Sequence, residues 1–133
     1  MGFLNFLFGK RIGYKREGAL TTMDHQTVRD GWLKIQEQVS FGKPSNYRSA
    51  VIDADKLTDF VLKIMYPADE AMGERLKSVK VKFINHYDLY DGLWFAHKVR
   101  NEIVHNVNFE LPSVEVRNIL DKFKAALDHL GAF

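Results

Sequence analysis

Cysteine is missing altogether from this chain of 133 residues, which excludes disulfide bridges, thiolate zinc sites and a cysteine nucleophile together. The absence fits a reducing compartment, and a cytoplasmic location is expected. Proline occurs three times, at Pro44, Pro67 and Pro112, too rarely for a collagen-like or low-complexity chain. No apolar run approaches the roughly 18 residues that a membrane span needs. The longest, Phe3 to Phe8, is interrupted by Asn5 and has no positive charge ahead of it, so it is neither a span nor a signal peptide. No internal repeat of solenoid length is present.

A surplus of one charge is scarce as well. There are 19 Lys and Arg against 17 Asp and Glu, a net charge of +2. Four of the basic residues, Lys10, Arg11, Lys15 and Arg16, precede the first acid, so residues 17–133 hold 15 against 17 and sum to −2. The sequence pI of about 8.8 therefore reflects a basic leader on a nearly neutral body. This is not the charge of a protein that coats nucleic acid unspecifically, and any polyanion site has to be local.

What is present suits one globular domain: 46% hydrophobic and 27% charged residues over a length sufficient for a single core. Residues 1–20 are expected as an apolar and basic leader and residues 21–133 as the domain. In the leader, Phe3, Leu4, Leu7 and Phe8 fall at helical spacing with Lys10 and Arg11 just beyond. Packing on the domain or on a partner subunit is expected, with membrane contact as the weaker alternative. Gly2 is not a myristoylation signal, because Phe6 stands where Ser or Thr is needed.

Helical stripes recur along the domain. Val28, Trp32, Ile35 and Val39 give the first helix one apolar face, from about Asp24 to the break at Phe41–Pro44. Ser45 or Asn46 is expected to cap a second helix with a seam of Ala50, Ala54, Leu57, Val61 and Ile64, ended by Pro67, with Asp53, Asp55 and Asp59 on its wet face. A third helix from about Asp69 carries Met72, Leu76, Val79 and Phe83. The fourth, from about Asp88 to His105, is apolar on more than one side, which predicts a central position or a subunit interface. The last starts near Ser113, buries Val116, Ile119, Phe123, Leu127 and Leu130, and stops at Gly131. With no two-residue alternation, the fold class is all-α, a four- to five-helix up-and-down bundle.

Several chemistries lack their motifs. Neither Phe8-Gly9-Lys10 nor Phe41-Gly42-Lys43 completes a phosphate loop, His97 and His105 stand too far apart for a paired-histidine zinc helix, and no nucleophile elbow exists. No metal site and no cofactor are expected. One dense polar run remains, His97-Lys98-Val99-Arg100-Asn101-Glu102-Ile103-Val104-His105, inside the most apolar helix. At about 100° per residue, His97, Asn101 and His105 share one strip of that helix, while Arg100 projects to its side. His25, His86 and His129 read as local packing, and Trp32 and Trp94 as core or interface anchors.

The hexamer Arg100-Asn101-Glu102-Ile103-Val104-His105 resembles the R-N-x-x-x-H form of the motif that marks HEPN domains, small all-helical modules. As in that family, it falls late in a helix followed by a short loop and a final long helix, and the resemblance spans roughly residues 24 to 130. It implies a HEPN-like bundle acting as a homodimeric, metal-independent endoribonuclease, a toxin or a stress or defence effector. Arg100 would steady the phosphoryl charge, His105 would transfer protons, Asn101 would orient the histidine or the phosphate, and His97 and Lys98 would contact substrate. The implied partners are RNA or a nucleotide, a second copy, and an antitoxin or other protein. Val107, however, stands where toxins paired with a nucleotidyltransferase carry a tyrosine. The alternative is a non-catalytic module of the same fold that binds nucleotide, RNA or protein.

Overall fold

A computed structural model describes residues 16–133. The leader pattern from Phe3 to Arg11 lies outside the described residues. These form α1 (Thr22–Ser40), α2 (Pro44–Met65), α3 (Met72–Ser78) running into a 3-10 segment (Val79–Phe83), α4 (Tyr87–His105) and α5 (Ser113–His129), with no strand among them. The fold is an all-α helical bundle. Among the described residues no helix is long and apolar enough to cross a membrane.

Local chemistry sets the helix ends. α1 begins ahead of Asp24 because Thr21 and Asp24 form a capping box: the Thr21 hydroxyl accepts the Asp24 N–H at 3.1 Å, and the Asp24 carboxylate accepts the Thr21 N–H at 2.8 Å. Neither Ser45 nor Asn46 caps α2. Pro44 is its first residue, where the missing N–H costs nothing and φ is already set. α2 stops at Met65, since Pro67 restricts Tyr66 to non-helical backbone at φ −130° and ψ 67°. α5 closes on Gly131 at φ +70°, with Gly131 N–H bound to the Asp128 carbonyl and Ala132 N–H to the Leu127 carbonyl, both at 3.0 Å.

α1 and α2 run antiparallel after a tight turn, as the bond from Gln38 Nε2 to Asp53 Oδ2 at 2.7 Å and the contact of Gly31 with Leu57 show. A Cβ on Gly31 would come within 2.9 Å of Leu57 Cδ1, which accounts for a glycine in mid-helix. The chain then folds so that α2 touches α1, α3, α4 and α5. That central place bears on two expectations. Of the two places expected for α4, a central one or a subunit interface, the central one belongs to α2: α4 packs on α2, α5 and the 3-10 segment and leaves Phe95 and Val104 about half exposed. The aspartates of α2 are not a wet face, because α2 has neighbours on several sides. Asp55 is 1% exposed, half-buried Asp59 is gripped by both Arg75 Nε (2.7 Å) and Nη2 (3.1 Å), and half-buried Asp53 binds Gln38. Leu57 and Ile64 lie at the margin of the buried strip rather than within it.

The core joins Val28, Trp32 and Ile35 of α1, Leu62 and Val61 of α2, Phe83, Leu93 and Ile103, and Phe123 and Leu127 of α5. Trp32 is an anchor of this core, edge-on to Phe133 at 6.1 Å. Of the expected leader, Arg16 to Leu20 run against the end of α2: Gly18 N–H binds the Met65 carbonyl at 2.9 Å, Glu17 pairs with Lys82 at 2.9 Å, and Leu20 packs on the core.

Candidate functional site

The polar run from His97 to His105 fills the second half of α4. His97 and Asn101, one turn apart, face the same way, and α2 supplies what the sequence reading placed in water: Asp55. The two Asp55 oxygens take different partners, Oδ1 at 2.8 Å from His97 Nδ1 and Oδ2 at 3.3 Å from Arg100 Nε. Arg100 Nη1 donates to Asn101 Oδ1 at 2.9 Å, and Asn101 Nδ2 stands 3.5 Å from His97 Nε2.

One proton assignment closes this loop of four side chains. With Asn101 Oδ1 accepting from Arg100, its Nδ2 donates to His97 Nε2, and His97 Nδ1 then donates to the Asp55 carboxylate. The Arg100 Nε contact with Asp55 is a charge contact rather than an aligned hydrogen bond, since that nitrogen is buried without a hydrogen-bond acceptor. The ring ties α2 to α4, and each contact polarises the next in a low-dielectric setting. Arg100, which an ideal helix projects away from Asn101, is drawn in by the carboxylate across the interface.

The sequence-derived residues therefore separate into two groups. His97, Arg100 and Asn101 meet in the ring. His97 is 8% exposed and stands edge-on to half-buried Trp94 at 6.0 Å, so its ring nitrogens face protein. Lys98 points outward, its Nζ 5.9 Å from the Trp94 ring centre, a cation–π contact at the surface. His105 is exposed in the last turn of α4 and makes no hydrogen bond or ion pair among the described residues.

A second arginine sets the turn that carries His105. Arg48, near the start of α2, donates from Nη2 to the Ile103 carbonyl at 2.8 Å and from Nη1 to the Phe109 carbonyl at 2.9 Å. One bond satisfies a carbonyl left orphaned at the helix end, and the other pins the loop that follows. The sequence reading set Asp55 on a wet face and did not name Arg48. Asp55 had a legible signal: Val51, Thr58 and Leu62 stand four before, three after and seven after it, which places a carboxylate on an apolar stripe. Arg48 had only a faint one, a cation near the positive end of a helix, where the dipole disfavours it.

Two of the other three histidines bind backbone through their side chains, and the third meets a ring. His25 Nδ1 donates to the Ala132 carbonyl at 2.9 Å, His129 Nε2 donates to the Lys82 carbonyl at 2.7 Å, and the His86 and His129 rings stand 4.8 Å apart. Compared with family models, curated proteins and solved structures, the chain has no match.

Proposed function

We propose that the chain is a metal-independent endoribonuclease of HEPN type, acting as a homodimer, with Arg100 and His105 as its catalytic residues. The observation that supports this most is the contrast at the end of α4. Arg100 is held by Asp55 and Asn101 with its Nη2 unpartnered among the described residues, and exposed His105 follows about 7.5 Å further along the helix axis. The two lie about 140° apart around one helix, so the reading needs the second copy to bring a fixed guanidinium and a solvent-reachable imidazole to one phosphate, the pair that phosphoryl transfer from RNA asks of side chains alone.

In this reaction the ribose 2′-oxygen bonds to phosphorus as the bond to the 5′-oxygen breaks. His105 accepts the 2′ proton, and the departing 5′-oxygen takes a proton from the imidazole of the second copy. Arg100 stabilises the charge that gathers on the non-bridging oxygens. The products are a 2′,3′-cyclic phosphate and a 5′-hydroxyl. Asp55, His97 and Asn101 act as positioning residues: they hold the arginine and do not touch the reacting atoms.

A second reading has one observation in its favour, the closure of the ring. Four side chains that satisfy one another serve as a device for joining α2 to α4 in a module that binds without turnover. The two readings part on His105, which lies outside the ring. The expected result is RNA cleavage that persists in EDTA and is lost in His105→Ala, whose folding stability stays within about 0.5 kcal/mol of the parent because the site is exposed. Arg100→Ala is expected to lose cleavage too and to lose about 3 kcal/mol of stability, since it takes away the cation that faces the buried Asp55 carboxylate and leaves it the His97 bond alone. Stable His105→Ala protein that cuts as fast as the parent overturns the ribonuclease reading.

A further inference from the structure

Where the turn between α1 and α2 meets the loop between α4 and α5, the surface opens into a cleft of about 830 Å³. That volume is in the range of small-ligand sites. Tyr47 and Arg48 of α2 line one wall, and Val107, Phe109 and Glu110 line the other. The second wall is the chain that leaves His105, and Arg48 bonds the Ile103 carbonyl, in the same helical turn as His105, to the Phe109 carbonyl. Cleft and imidazole are thus fixed to each other through one guanidinium.

The chemistry of the lining is selective. Arg48 spends one N–H of each terminal nitrogen on a carbonyl and keeps its charge, so the Tyr47 and Ser113 hydroxyls and the Glu110 carboxylate are the remaining polar groups beside two half-buried aromatic rings. The charges of Arg48 and Glu110 offset each other across the cleft, so a bare phosphate gains little there, and an aliphatic ligand leaves the carboxylate unused. A flat base with an exocyclic amino group uses both, its face against Tyr47 or Phe109 and its amino group toward Glu110, whereas the one free ring N–H of uracil lies between two carbonyl oxygens that repel the carboxylate.

We infer that this cleft is a nucleobase subsite for the RNA strand cut at Arg100 and His105, and that it favours a base with an exocyclic amino group over uracil. The inference rests on the ribonuclease reading for the identity of the strand. Phe109 supplies the stacking face, Glu110 the acceptor, and Arg48 positions both walls.

The test uses the full chain and short RNAs carrying a 2′-O-methyl block at the scissile nucleotide, one for each base at the neighbouring position. Binding is read by fluorescence anisotropy and cleavage by sequencing the ends from unblocked RNA. The parent is expected to bind adenine, cytosine or guanine more tightly than uracil. Glu110→Gln, at an exposed position, should level that preference with the melting temperature unchanged. Phe109→Ala should weaken binding about tenfold or more for every base, with Phe109→Tyr restoring it. A parent without preference, or variants that bind and select as the parent does, overturns the subsite. Preference that responds to Glu110→Gln without any strand being cut keeps the subsite and ends the ribonuclease reading. Cleavage dependent on His105 with selection unmoved by Glu110→Gln does the reverse.

Discussion

Tyr66 follows α2 and is 3% exposed, with a hydroxyl that has no hydrogen-bond partner among the described residues. Burial pushes its pKa up from 10.0 to about 12, and the nearby Glu17 and Asp69 carboxylates push in the same direction. The neutral phenol is therefore favoured in the folded protein, which keeps a proton that the unfolded chain releases at the ordinary value. The stability this group contributes is complete below pH 10 and is lost as pH rises toward about 12. Melting curves across that interval are expected to show a fall in Tm that is smaller in Tyr66→Phe. At neutral pH the same variant removes a buried hydroxyl without a partner and is expected to be more stable by about 1 kcal/mol. A loss of that size on urea unfolding would show that the hydroxyl is bonded after all.

At the scale of elements, the segment before α1 depends on one glycine. A Cβ on Gly18 would come 2.2 Å from the Ile64 carbonyl oxygen, a backbone atom that cannot step aside without unwinding the end of α2. Gly18→Ala is therefore expected to lift Arg16 to Leu20 away, losing the bond to Met65 and the exposed pair of Glu17 with Lys82. The cost is about 1–2 kcal/mol. Faster tryptic cleavage after Arg16, with the rest of the bundle equally resistant, is the expected readout, and unchanged cleavage would show that the contact yields.

The same elements mark how far the sequence could be read. The starts of α4 and α5 and the stop at Gly131 were legible because caps, prolines and stripes are local signals. The aspartates of α2 were misplaced because a single helical stripe assumes one buried face, whereas α2 is packed by four other helices. In the site, the strip shared by His97 and Asn101 follows from spacing alone. The turn of Arg100 toward them does not, since it depends on Asp55, which is 42 residues away from His97 in the chain. Arg48 is further out of reach, 55 positions along the chain from the Ile103 carbonyl that it binds.

For the whole molecule, charge is the property that constrains the proposed RNA binding most. Residues 17–133 sum to −2, and most of the lysines lie away from the end of α4, where Lys98 and Arg100 are the cations on the helix that carries His105. Binding to a single strand releases counterions in proportion to the phosphates neutralised, with a slope of log affinity against log salt of about −0.7 per contact. Two cations per copy therefore predict a slope of about −1.4 for each copy that the strand touches, shallow beside proteins that cover long stretches of nucleic acid. Arg100→Gln is expected to flatten it by about 0.7, the share of one contact, and so is Lys98→Gln, which leaves the ring around Asp55 intact. Anisotropy with a 2′-O-methyl-blocked RNA over a series of salt concentrations measures this directly. A slope several times steeper would mean that the basic residues before Glu17, not the end of α4, carry the affinity, and that the strand does not take its place from the guanidinium at the ring.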